Sequence, residues 1–101
     1  MKLEDKIYIT KLFDMYGKLL SKKQYDYLSL IINNDYGFSE IAEEIKVSRQ
    51  NVYDNYLKAV NKLYEYENCL KFLSKSNKII DVLKQNASLE TITKIKNILN
   101  D

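Results

Sequence analysis

No proline occurs anywhere in this 101-residue chain, and glycine occurs only at positions 17 and 37. These are the two residues that most often end or interrupt a helix, proline by removing an amide donor and glycine by its backbone freedom. With both nearly absent, only short polar clusters are left to stop a helix. The chain is therefore expected to be all-α, and its length suits one domain with a helical extension.

The densest local pattern runs from Phe38 to Leu63. Phe38, Ile41, Ala42 and Ile45 recur at helical spacing, Val47 fills a turn, and Ser48 is placed to cap a second helix that buries Val52 and Tyr56. Two helices joined in this way form a helix-turn-helix, whose second helix ordinarily enters a nucleic-acid groove. Lys46 stands in the turn where glycine is common, so lysine must either accept a left-handed conformation or the turn must differ.

Around this motif the periodicity predicts further helices. The first should run from about Glu4 to Tyr16, with Ile9, Leu12, Phe13, Tyr16 and Leu20 inward and Gly17 as a left-handed C-cap. Ser21-Lys-Lys-Gln24 fits a capping box for a second helix, with Tyr25, Leu28, Ile31 and Ile32 on its core side. Residues 33–37 are a turn by composition, and Ser39 is the expected cap of the third helix. The fourth is unusual. Val52, Tyr56, Ala59, Leu63, Tyr66, Leu70 and Leu73 form an unbroken heptad seam. A helix from Arg49 to about Lys75 would be about 40 Å long at ~1.5 Å per residue. A bend is expected at residues 74–77, a further helix through Ile79, Ile80, Val82 and Leu83, and a last helix capped by Ser88 with Ile92, Ile95, Ile98 and Leu99 inward. The expected organisation is a helix-turn-helix domain over residues 1–75, long fourth helix included. A C-terminal helical extension over 76–101 would pack on that domain or on a dimer partner.

The residue inventory excludes most chemistry. There is no histidine, which removes the usual general base and the commonest metal ligand. Cys69 is the only cysteine, so neither an internal disulfide nor a zinc site can form from thiolates. Two isolated glycines cannot build a phosphate loop. No catalytic, cofactor-binding or metal-binding residue is assigned, no cofactor or small-molecule substrate is expected, and the protein is read as non-enzymatic. No run reaches the roughly 18 apolar residues of a membrane span, and the N-terminus lacks a signal-peptide core. A cytoplasmic location without membrane association is expected.

Charge is unevenly distributed. Residues 1–34 hold six lysines and four acids, a net of +2; residues 35–67 hold four basic groups and seven acids, a net of −3; residues 68–101 hold six lysines and three acids, a net of +3. The helix-turn-helix is the acidic part, which is unhelpful for binding phosphates. Around the fourth helix, at about 100° per residue, Tyr53, Leu57, Val60 and Tyr64 form a second apolar stripe. With Leu70 and Leu73 it is read as a helix-packing or homodimer interface. The opposite arc carries Gln50, Asn51, Asp54, Asn55 and Lys58. The candidate nucleic-acid-binding set is Arg49, Gln50, Asn51, Asn55 and Lys58, with Lys22 and Lys23 supplying charge from the flank.

Two blocks also carry a resemblance. Leu12-Phe-Asp-Met-Tyr-Gly-Lys-Leu-Leu-Ser-Lys-Lys-Gln-Tyr25 looks like the opening signature of the YlxM family of small bacterial helix-turn-helix proteins. Ile41-Ala-Glu-Glu-Ile45 and Val47-Ser-Arg-Gln-Asn-Val-Tyr-Asp-Asn55 resemble its second signature. More distantly, the helix-turn-helix is similar to region 4 of bacterial sigma factors. The resemblance to YlxM implies a regulatory or accessory role in the signal recognition particle pathway, because genes of that family lie beside the gene for the particle's protein subunit. The implied partners are the particle's protein or its RNA. The alternatives are a transcriptional regulator placing Arg49, Gln50, Asn51 and Asn55 in the DNA major groove, and a protein-binding adaptor that uses the motif as scaffold.

Overall fold

The computed structural model describes residues 3–34 and 36–100, with side chains from Asp5 onward. Six α-helices follow one another: α1 (Leu3–Tyr16), α2 (Lys22–Asn33), α3 (Phe38–Ile45), α4 (Arg49–Leu70), α5 (Phe72–Asn86) and α6 (Leu89–Leu99), with a 3₁₀ turn at Gly17–Leu19 between the first two. No strand occurs among the described residues. Asp35, part of the expected 33–37 turn, lies outside them.

The core is assembled around α4. Its Val52, Tyr56, Ala59, Val60 and Leu63 meet Ile9, Leu12, Phe13 and Tyr16 of α1, Tyr27, Leu28 and Ile31 of α2, and Ile41 and Ala42 of α3. Leu12, Leu28, Ile41, Val52 and Leu63 are wholly inaccessible, and each buried aliphatic side chain of this size contributes about 1.5–3 kcal/mol by leaving water. On α2 the core side differs from expectation by a fraction of a turn. Tyr27 is buried, whereas Tyr25 is 39% exposed and lies against the Phe13 ring with centroids 4.9 Å apart. The Tyr27 hydroxyl tolerates burial because it has a partner on α4, described below.

Helix ends follow local chemistry in most places. Ser21 and Gln24 form the full capping box, and the Ser48 and Ser88 hydroxyls accept the amides of Asn51 and Thr91. Two caps differ from expectation. Helix α3 begins one residue before Ser39, with Gly37 as its N-cap. Gly17 does not adopt a left-handed conformation; it opens the 3₁₀ turn. Its lack of a side chain serves packing instead, since a Cβ there would sit 3.1 Å from two ring carbons of Phe13. The left-handed positions belong to Lys46 (φ 59°) and Lys71 (φ 56°). Lys46 ends α3 in a Schellman arrangement, with the Val47 amide bonded to the Ala42 carbonyl at 3.1 Å.

Lys71 changes the reading of the long helix. Helix α4 stops at Leu70, not near Lys75, and residues 74–77 lie inside α5 rather than at a bend. The heptad seam therefore crosses a break: Leu70 is 38% exposed, while Leu73 folds back into the core from α5. Helix α6 packs mainly on α5. With one neighbour it buries a narrow stripe only, so Ile92 is covered and Ile98, expected inward, is 72% exposed. The α5–α6 hairpin lengthens the molecule to 52 × 25 × 23 Å, with a radius of gyration of 16.2 Å against about 13 Å for a compact chain of this size.

Candidate nucleic-acid interface

Helix α3, the left-handed turn at Lys46 and helix α4 build the helix-turn-helix, and the hydroxyl of Ser48 fixes the first turn of α4 by accepting the Asn51 amide at 3.0 Å. The expected reading residues do not share one face. Arg49 turns toward α3, its guanidinium carbon 5.8 Å from the centre of the Phe38 ring. Phe38 in turn meets Tyr53 edge-on, with centroids 5.4 Å apart. Asn51 turns toward α2, where its Oδ1 accepts the Tyr27 hydroxyl at 3.1 Å. The Asn55 amide donates to the Asn51 carbonyl at 2.8 Å and reaches Asn51 Oδ1 at 3.4 Å. Both asparagines are half-buried. Asn51 ties α2 to α4, Asn55 supports it from within α4, and both are only partly presented to solvent.

Between these two sides Gln50, Asp54, Leu57 and Lys58 are exposed. The Gln50 amide donates to Asp54 Oδ1 at 2.8 Å, so a carboxylate sits in the middle of the outward face. Glu40, Glu43 and Glu44 are exposed on α3 nearby in the chain. The α2 edge is different. Lys23 lies 5.7 Å from the centre of the Tyr27 ring, the same ring whose hydroxyl holds Asn51. A cation over an aromatic face is held by the ring's quadrupole at little cost in mobility. Lys22 at the start of α2 is paired with Asp26 at 3.0 Å, but its side chain is 91% accessible, and an exposed pair of this kind is worth under about 1 kcal/mol. Lys22 and Lys23 thus stand exposed on α2, and Lys58 stands exposed on the outward face of α4.

Tyr27 is the residue that sequence reasoning missed here. A period of four from Lys23 to Tyr27 was visible, but its bond to Asn51 spans 24 positions and needs the fold to be seen.

The second apolar stripe divides. Val60 is buried in the core at 7% exposure, as is Leu73 of α5 at 9%; Tyr53, Leu57, Tyr64 and Leu70 each remain 38% exposed. Tyr64 rests on Tyr8 of α1, with ring centres 5.8 Å apart. Among the described residues no group of three or more His, Cys, Asp or Glu side chains is arranged to hold a metal ion, and no helix is long and apolar enough to cross a membrane.

A helix-turn-helix whose second helix turns an exposed face, Arg49, Gln50, Asp54 and Lys58, to solvent over its first three turns has the form of a binding protein of the helix-turn-helix class. Residues 3–100 match the UPF0122 family, described as "Putative helix-turn-helix protein, YlxM / p13 like", and the chain belongs to that family. It is 42% identical over 91 residues to a UPF0122 protein of Acetivibrio thermocellus, covering 85% of this chain and 78% of the relative. It is 40% identical over 99 residues to one from Fusobacterium nucleatum, covering 94% and 95%. A third, from Halalkalibacterium halodurans, is 43% identical over 83 residues, covering 82% and 76%.

Proposed function

We propose that this protein is a non-enzymatic regulatory protein of the signal recognition particle pathway that binds the particle's RNA through the lysine-bordered α2 edge of its helix-turn-helix. Family membership supports a nucleic-acid-binding regulatory role; the pathway is the one its resemblance to YlxM implies. The observation that carries the choice of RNA is the state of the amides on α4. Asn51 is held by Tyr27, and Gln50 is bonded to Asp54. A major-groove reader needs such amides free to bond adenine edges. Lys22, Lys23 and Lys58 are exposed and carry no such restraint on reading bases, which suits contacts to the backbone of a structured RNA, whose deep major groove admits no reading helix.

The same reading includes a homodimer formed through Tyr53, Leu57 and Tyr64, which supply an exposed apolar patch on one side of α4, with Leu70 exposed at the end of the helix. The second reading, a DNA-binding transcriptional regulator, is favoured by one observation: Arg49 stands exposed at the first position of α4, where helix-turn-helix proteins place base-contacting residues.

Fluorescence anisotropy with labelled particle RNA and with duplex promoter DNA, across a salt series, separates the two. RNA binding that weakens in Lys23→Glu and survives in Gln50→Ala is expected. Sequence-selective duplex DNA binding lost in Arg49→Ala and Gln50→Ala would replace the RNA reading with the DNA one.

A further inference from the structure

A groove of about 560 Å³ opens between α1 and the α5–α6 hairpin, and no described residue of the helix-turn-helix elements α3 and α4 lines it. Three lysines from three helices line it: Lys11 of α1, Lys84 of α5 and Lys96 of α6. Ser76 and Asn77 add neutral hydrogen-bonding groups, and Asp81 is the one carboxylate in this lining. All three lysines are exposed, and none is ion-paired with a described residue, although Lys22, Lys62 and Lys94 elsewhere each have a carboxylate within 4 Å. Three ammonium groups brought to one groove from positions 73 and 12 residues apart in sequence, against one carboxylate, give it a positive balance that suits an anion with several phosphates.

We propose that this groove is a second phosphate-backbone site, which takes the sugar–phosphate chain of the same nucleic acid that the helix-turn-helix edge engages. The inference rests on the functional reading above. Lys18, in the 3₁₀ turn after α1, and Lys22, at the start of α2, continue the lysines of α1 toward that edge. The long axis of 52 Å is close to one and a half turns of a duplex at ~34 Å per turn, so one helical segment can touch both sites. The hairpin, which adds little to the core, acquires a role as a backbone clamp.

The test uses an RNA duplex two helical turns long and inorganic phosphate as separate probes, with the full chain throughout. Circular dichroism melts first establish that each variant is folded. In Lys84→Ala/Lys96→Ala the expected loss of duplex affinity is about 10–30-fold at ~0.15 M salt, and the slope of log K against log salt falls by about 2, near 0.9 per phosphate contact. Lys94→Ala, on the same hairpin but outside the groove, is expected to bind as wild type. Wild-type duplex affinity in the groove variant, alongside a loss in Lys22→Ala/Lys23→Ala, overturns the groove and leaves the functional reading intact. A loss in the groove variant with none in the edge variant keeps the groove and removes the edge. Binding of inorganic phosphate as tight, per site, as binding of the duplex would overturn the assignment to a nucleic-acid backbone. Absence of duplex binding by wild type at low salt overturns both.

Discussion

The hydroxyl of Tyr16, the last residue of α1, donates to the carboxylate of Glu67, near the end of α4, at 2.6 Å. The same carboxylate accepts the amides of Leu73 and Ser74 at 3.1 Å each, and the Tyr16 oxygen accepts the amide of Phe72 at 3.1 Å. Helix α5 has no capping side chain of its own, because its N-cap is the left-handed Lys71. Glu67 and Tyr16 together satisfy the first three amides of α5, and the negative charge complements the positive end of its dipole. One pair of side chains therefore fixes how the C-terminal hairpin leaves the head.

Glu67→Ala is expected to cost about 2–3 kcal/mol, because it strips a charged acceptor from two amides and one hydroxyl. Tyr16→Phe should cost about 1–2 kcal/mol, since the amides of Leu73 and Ser74 keep their partner. Urea denaturation measures both. Amide hydrogen exchange should show the loss concentrated in α5 and α6 for Glu67→Ala, and equal loss across the head would contradict the latch.

Stability should fall as the solution becomes alkaline. Burial, and then the bond to Glu67, push the Tyr16 hydroxyl above its ordinary value of about 10; burial raises Tyr56 and Tyr8 in the same direction. The folded state therefore holds these protons at a pH where the unfolded chain releases them. The stabilising contribution is complete below about pH 10 and is lost as pH rises through the higher folded values. Thermal melts from pH 8 to 11 should show the decline, with a shallower slope in Tyr16→Phe.

Lys46 and Lys71 both occupy left-handed backbone, which costs an L-residue with a side chain roughly 1 kcal/mol. Lys71→Gly and Lys46→Gly are each expected to stabilise the fold by about 0.5–1 kcal/mol after the greater entropy of glycine in the unfolded chain is counted. Lys58→Gly, inside α4, should destabilise by about 1 kcal/mol. Chemical denaturation of the three variants gives opposite signs if the backbone assignment is right.

The proposed homodimer predicts that Leu57→Glu, at the centre of the exposed stripe, yields a monomer without loss of helix content. Sedimentation equilibrium at micromolar concentration reads this directly, and a monomeric wild-type chain would end the proposal.

Much of the fold was legible because its signals are local. The capping box at Ser21 and Gln24, the caps at Ser48 and Ser88, and the apolar periods of α1 and α4 each lie within a few residues. Lys71 was not legible. Lysine is a good helix former, and the heptad seam continues through it without a missed step, so nothing nearby marks a break. The break is held by Tyr16, 51 positions from Glu67. The candidate site shows the same limit. Arg49, Gln50, Asn51 and Asn55 were placed together by chain position, but two aromatic neighbours, Phe38 and Tyr27, draw Arg49 and Asn51 to opposite sides of the helix.

The central claim is that the α2 edge carries RNA binding. It is tested most directly by titrating labelled particle RNA with wild type and with Lys22→Ala/Lys23→Ala across a salt series. The account predicts linear weakening of wild-type binding with log salt, and a slope smaller by about 2 in the variant. Equal slopes and affinities in the two proteins would contradict it.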